Sequence, residues 1–422
     1  MCHTRIALFS PGGRHRILDP AGCDGNWKDR MTEDHDPRRV LTTRRDFMGL
    51  LGLSAGVGLA STFGDDVDLL STVLQPASGA RVSFPKGAVI RTVLSDISPE
   101  ALAGGTTLFH EHLSLTMPEE GRGRGAQPPP GPPADAALPR RLPGGRPMGS
   151  VGTYTKDVSL MIDEVNAAKK DGLVCIVDAG PTDLKRKIED LKTIQTRTGM
   201  YVVASGGFFN QSSFPTDLSA KSEQQLAEEI EQEARRERYG AFGEIGQSAT
   251  MTDDERKVFR AVSRAAIRTG MSVFTHTPHE GCKVCALEQL GIFEHMKVDP
   301  RRICIGHLAD IRDDPKAETH KTIARRGAYV GFDTVGIPTG LSDEAKVGMI
   351  VAVLEAGLED RVLLSSDMAI EGLLKKNGGG GYSLVLTDFV PKLKAAGVKE
   401  ATLHKILVDN PRRFLAFVPR VA

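Results

Sequence analysis

The sequence predicts an α/β fold, a closed (β/α)8 barrel of the TIM type. Three observations predict it. Eight short apolar runs recur between residues 106 and 367. Charged segments with helical spacing of apolar residues separate them. The runs are apolar almost throughout instead of alternating, as strands are when a parallel sheet is covered on its faces. Eight βα units fit a closed barrel better than an open sheet.

The eight runs are Thr106–Phe109, Leu173–Asp178, Tyr201–Ser205, Ala241–Ile245, Met271–His276, Arg302–His307, Ala328–Asp333 and Val362–Asp367. A further run, Arg91–Leu94, reads as a strand ahead of the barrel. Between the runs, residues 253–269 place Val258, Val262, Ala265 and Ala266 on one helical face. Residues 184–198, 222–238, 342–357 and 383–396 read as helices in the same way. Residues 118–150 break the pattern with a Pro/Gly-rich stretch that includes Pro128-Pro129-Pro130. This insertion follows the first barrel strand and reads as a surface loop on the face where barrel enzymes keep their active sites, with a cap over the site as the alternative.

The barrel occupies residues 81–422, and residues 1–80 read as an extension and address. Arg44-Arg45 precedes Asp46-Phe47-Met48 and a charge-free, Gly/Ala-rich apolar run through Ala60. That run is shorter than the roughly 20 residues a membrane span needs. The segment resembles a twin-arginine export signal at about residues 31–62, with the export machinery as partner and a periplasmic or secreted mature protein. Met31 is a plausible start.

Composition excludes several function classes. Lys plus Arg and Asp plus Glu are both 54, so the chain has no net charge with which to grip nucleic acid or anionic lipid. One Trp and five Tyr supply no stacking platform for bases. Six Cys in 422 residues make no disulfide scaffold. Cys282 and Cys285 form a C-x-x-C without a second pair and are expected as two free thiols, with a local disulfide in an oxidising periplasm as the alternative, and Cys175 and Cys304 as inert core.

The chemistry lies where polar residues end the apolar runs. His110, His112, Glu244, His276, His307 and Asp367 stand at or just beyond the ends of five different runs. Such ends converge on the catalytic face of a barrel. His110 and His112 are two apart, so in a strand both imidazoles face one way. Glu244 puts a carboxylate inside an apolar run, which is costly unless the charge is paired or bound to metal. Together the six predict a metal site.

This ordered set, with Gly105-Thr106-Thr107-Leu108-Phe109-His110-Glu111-His112 at one end and Asp409-Asn410-Pro411-Arg412-Arg413-Phe414 at the other, resembles the phosphotriesterase family of the amidohydrolase superfamily over about residues 91–417. The resemblance implies two divalent metal ions, probed first as Zn²⁺, with Mn²⁺, Co²⁺ or Fe²⁺ as alternatives. His110, His112 and Asp367 would hold the more buried ion and His276 and His307 the more exposed one. Glu244 would bridge them, where many relatives use a carboxylated Lys. The implied reaction is hydrolysis of a small ester-like substrate, a carboxyl ester, lactone or phosphotriester, by a metal-bridged hydroxide, with Asp367 as the catalytic proton acceptor. A homodimer is also implied. The rivals are a strict phosphotriesterase and a catalytically inactive barrel that serves as a binding protein.

Other positions are less determined. Asp333 is followed by Thr334 rather than the Arg that lactonases of the family place there, and it either orients substrate or a ligand His, or caps a turn. His279 reads as a solvated surface residue, with a place beside the metal as the alternative. Phe208, Phe209 and Phe214 either line an apolar pocket or simply pack. The glycine run Gly378–Gly381 reads as plain flexibility, with a lid or a phosphate-binding backbone as alternatives.

Overall fold

The computed structural model describes residues 82–116, 155–279, 281–337 and 340–420. The export-signal segment and the 118–150 insertion lie outside them. Eight parallel strands alternate with helices: β1 (Thr106–Glu111), β2 (Leu173–Asp178), β3 (Tyr201–Gly206), β4 (Ala241–Gly246), β5 (Ser272–His276), β6 (Ile303–Ile305), β7 (Tyr329–Phe332) and β8 (Val362–Leu364). Each pairs with its sequence neighbour. The segments following β8 and β1 close the ring: Asp367 N donates to His110 O at 3.2 Å, and His112 N to Met368 O at 3.3 Å. The result is a (β/α)8 barrel.

Along the strands, successive side chains point to opposite sides, except where the register shifts in β1 between Leu108 and Glu111. Phe109, Cys175, Val203, Ala241, Phe274, Cys304, Tyr329 and Leu363 fill the interior. Their neighbours Leu108, Ile176, Val202, Phe242, Val273, Ile305, Val330 and Leu364 belong to the larger cluster that includes residues of the surrounding helices. This is a packed core on both sides of the sheet, and it explains why the runs read as uniformly apolar.

The outer helices are α1 (Val158–Lys170), α2 (Ile188–Thr198), α3 (Glu223–Arg236), α4 (Asp253–Thr269), α5 (Lys283–His295), α6 (Glu318–Arg325) and α7 (Asp343–Glu355), with α8 (Val390–Ala395), α9 (Glu400–His404) and α10 (Asn410–Leu415) closing the chain. The predicted face of α4 is the buried one. Ser222 with Gln225, and Thr252 with Glu255, form capping boxes that start α3 and α4 by satisfying otherwise unpaired N–H groups. None of the helices among the described residues is long and apolar enough to cross a membrane.

Four expectations change. The Arg91–Leu94 strand reduces to Ile90–Arg91, paired antiparallel with Asp96–Ile97 outside the barrel. Thr92 Oγ1 accepts from Ser95 N and turns the chain there. The 184–198 helix begins only at Ile188, because Lys185 takes a left-handed φ of 56°. Cys282 and Cys285 are joined in a disulfide instead of being free thiols. Cys282 caps α5 and Cys285 lies one turn on, which brings their Cα atoms to 5.2 Å, a bridgeable distance. Finally, the run Gly378–Gly381 is a packed turn: a Cβ on Gly379 would meet Leu373 O at 2.0 Å. Cys175 and Cys304 are buried and free, as expected.

Candidate metal centre

Five strands deliver six side chains to one mouth. His110 belongs to β1 and His112 follows it; Glu244 lies within β4; His276 ends β5; His307 and Asp367 follow β6 and β8. His307 and Asp367 adopt φ of 55° and 51°, which L-residues rarely hold unless the surroundings enforce it. Gly306 makes room for this turn, since a Cβ there would lie 2.1 Å from Thr275 O.

The six side chains interlock. Glu244 faces both halves of the group: Oε1 lies 3.4 Å from His112 Nε2, and Oε2 lies 2.9 Å from His276 Nδ1 and 3.3 Å from His110 Nε2. Asp367 Oδ1 stands 3.0 Å from His112 Nε2. His307 Nε2 is 2.8 Å from His276 Nδ1. Ligand atoms of three overlapping trios lie within 4.8 Å of one another: His110/His112/Asp367, His110/Glu244/His307 and His276/His279/His307.

A layer of carboxylates sits behind these groups. Asp333, fully buried, takes His110 Nδ1 at 2.9 Å on one oxygen and His307 Nδ1 at 3.1 Å on the other. It therefore orients two candidate ligands and is no simple turn cap. Glu111, between the two histidines of the H-x-H pair, accepts from Ser366 N, Ser366 Oγ and Met368 N. It pins the segment that presents Asp367. Sequence reasoning missed Glu111, although a carboxylate inside an apolar strand was the signal already read at Glu244. Tyr382 Oη donates to His112 O at 2.6 Å and ties the loop after β8 to the site. Of the three phenylalanines, Phe209 packs edge-on against His276 with ring centroids 4.7 Å apart, while Phe208 and Phe214 pack on each other.

Burial and charge shift the protonation of these side chains. Burial opposes a charge on His110, but Glu244 and Asp333 outweigh it and raise its pKa to about 10. His307 is raised against the same burial penalty, chiefly by Asp333. His276 goes the other way, to about 4, through burial and then the neighbouring His307. Burial resists ionisation of Asp333, yet the two imidazoles hold its pKa to about 2. Glu244 and Asp367 are held low by their histidines in the same way.

The donor set fits divalent cations on two grounds. Buried carboxylates and imidazoles are the ligands zinc and its neighbours take. His110 commits Nδ1 to Asp333, while its buried Nε2 has no hydrogen-bond partner and faces the cluster. A carboxylate behind a histidine is the arrangement that fixes the metal-binding tautomer.

Residues 88–415 match the sequence model of the Phosphotriesterase family. The chain belongs to this family. It is 32% identical over 263 residues to the phosphotriesterase homology protein of Escherichia coli, covering 61% of this chain and 88% of that one. It is 27% identical over 356 residues to the N-acetyltaurine hydrolase of Bos taurus, covering 78% and 98%. Among solved structures, the Escherichia coli protein with phosphate in its active site superposes with a TM-score of 0.63 at 29% identity, covering 74% of this chain and 99% of that one. A lactonase from Listeria monocytogenes gives 0.64 at 25% identity, covering 78% and 99%. Family members thus include hydrolases of chemically different bonds on one barrel.

Proposed function

We propose that this protein is a binuclear metal-dependent hydrolase of a small ester-like substrate. One observation carries the reading: Glu244 lies between the two ligand groups, with His112 and His110 of one and His276 and His307 of the other all within 3.5 Å of its carboxylate, as a shared ligand requires. His110, His112 and Asp367 would hold one ion and His276 and His307 the other, with Glu244 shared. When bound, such a pair activates water near neutral pH and polarises a carbonyl or phosphoryl oxygen.

The chain's own residues would do the rest. Asp333 holds His110 and His307 in the tautomer that leaves Nε2 free to ligate. Glu111 and the Ser366 hydroxyl fix the backbone on either side of Asp367. The Asp367 carboxylate stays ionised, and its side chain is 13% exposed at the mouth. It can therefore accept the proton lost by the attacking water and pass it toward the leaving group. Phe209 walls the site beside His276 and excludes solvent from that edge.

The relatives widen the range of bonds worth testing. The N-acetyltaurine hydrolases point to an amide carbonyl, which the same arrangement would attack, and the phosphate in the Escherichia coli relative points to a tetrahedral anion. The inactive-barrel rival is disfavoured because all six expected ligands are present and convergent. Zinc is the proposed metal, by ligand chemistry. A homodimer is proposed from the family resemblance alone. Export by the twin-arginine route is proposed from Arg44-Arg45 and its apolar run, and the Cys282–Cys285 disulfide suits an oxidising compartment.

The test is hydrolysis of a panel of aryl esters, lactones, phosphotriesters and N-acetyltaurine by the metal-loaded protein, with His276→Ala as control. Turnover of at least one class that vanishes in the variant is expected. Loaded protein inert toward all four would favour the binding-protein reading.

A further inference from the structure

His279 stands three residues beyond His276 in the loop after β5, with its side chain 46% exposed at the mouth. Read as a surface side chain, it should have no fixed partners. It has three. Its ring stacks on His307 with centroids 4.4 Å apart and meets His276 edge-on at 5.0 Å. Its Nδ1 lies 2.8 Å from Oδ2 of Asp310, a carboxylate with no solvent exposure.

Asp310 is itself held. Thr334 Oγ1 donates to its other oxygen at 2.8 Å. The arrangement repeats what Asp333 does for His110 and His307: a buried carboxylate takes Nδ1 and fixes the imidazole. Carboxylate–histidine pairs of this kind orient metal ligands and raise their basicity. A solvated histidine has no need of a buried, doubly bonded aspartate beneath it, because burying that carboxylate is costly.

The second, independent observation is positional. His279 offers a ligand atom within 4.8 Å of those of His276 and His307, the two residues proposed for the exposed ion. We infer that His279 is an additional ligand of the outer ion, making a three-imidazole set of His276, His279 and His307 with Asp310 as its positioning carboxylate. The inference rests on the binuclear reading proposed above. It assigns the outer ion one more neutral ligand than the sequence motif supplies and ties its retention to the loop between β5 and α5.

The experiment is titration of the ion-free full chain with Co²⁺, read by visible absorbance and by equilibrium dialysis against a competing chelator. It compares the natural protein with His279→Ala and His279→Phe. The phenylalanine variant keeps a ring against His307 but removes the nitrogens. The natural protein should take up two equivalents. Both variants should keep the first with unchanged affinity and bind the second at least about tenfold more weakly, with a changed cobalt spectrum. A second equivalent bound as tightly in either variant as in the natural protein overturns the inference while leaving the binuclear reading intact. A natural protein that takes up fewer than two equivalents overturns the binuclear reading and this inference with it.

Discussion

In the lower barrel interior lie Phe109, Phe274, Tyr329 and Leu363; at the mouth, an equally buried layer holds His110, Glu244, His307 and Asp333. The two layers are built by the same strands. Phe109 and His110 are consecutive, and Phe274 stands two residues before His276. The lower layer stabilises by removing apolar area from water and asks little of its neighbours beyond fit. The upper layer is tolerable only because each charge has opposite charges within a few ångströms. A change in the lower layer should therefore cost stability and spare the metal, whereas a change in the upper layer should cost the metal as well.

The largest effect expected is on activity at the mouth. Glu244→Ala should lower kcat/KM by about 10³-fold or more and take metal content below two per chain, because both ligand groups lose their shared carboxylate. Urea unfolding of the ion-free variant should also show a loss, because deleting one partner leaves buried histidine charge less compensated. A Glu244→Ala protein with full metal content would break the contrast between the layers. The counterpart is Phe274→Ala in the lower layer. It should destabilise by roughly 3–5 kcal/mol in urea unfolding, from lost burial and the cavity left behind. The folded variant should still bind its ions, as elemental analysis would show.

His320 sharpens the comparison because it is buried while its carboxylate neighbour among the described residues, Asp314, stands 4.0 Å from Nδ1, beyond hydrogen-bonding distance. It stacks on Phe332 at 4.9 Å and its Nε2 donates to Leu308 O at 2.9 Å. Burial holds its pKa to about 4. Below pH 6.5 the unfolded chain takes a proton that the folded chain refuses, so stability falls as the pH drops toward 4. The loss should reach roughly 3 kcal/mol, and His320→Gln should flatten that window in a pH series of urea melts. His110, as deeply buried but paired with carboxylates, shows the opposite shift. A smaller effect is expected from Asp333→Asn, which keeps the shape of the mouth but weakens the hold on two histidines. Metal affinity should fall by about 10–100-fold with the fold retained.

The strands, the central helices and the six convergent residues were legible because they follow from periodicity and from polar residues ending apolar runs. What escaped depended on contacts between distant residues. The sequence leaves Asp333 between orienting substrate or a ligand histidine and capping a turn, and says nothing of Glu111; only closure of the ring shows Asp333 gripping two histidines and Glu111 gripping residues 366–368. His279 looked solvated because nothing in its neighbourhood announces Asp310, which lies 31 residues away in the chain. The disulfide is only an alternative in the sequence because C-x-x-C pairs only where a helix start brings its ends together.

The central claim is that the charged layer exists to hold two cations. Its most direct test is elemental analysis of the full chain after saturation with Zn²⁺ and exhaustive dialysis. The account predicts two tightly held ions per chain, falling in the Glu244→Ala protein. Zero ions in a folded natural protein, or a Glu244→Ala protein that still retains two, would contradict it.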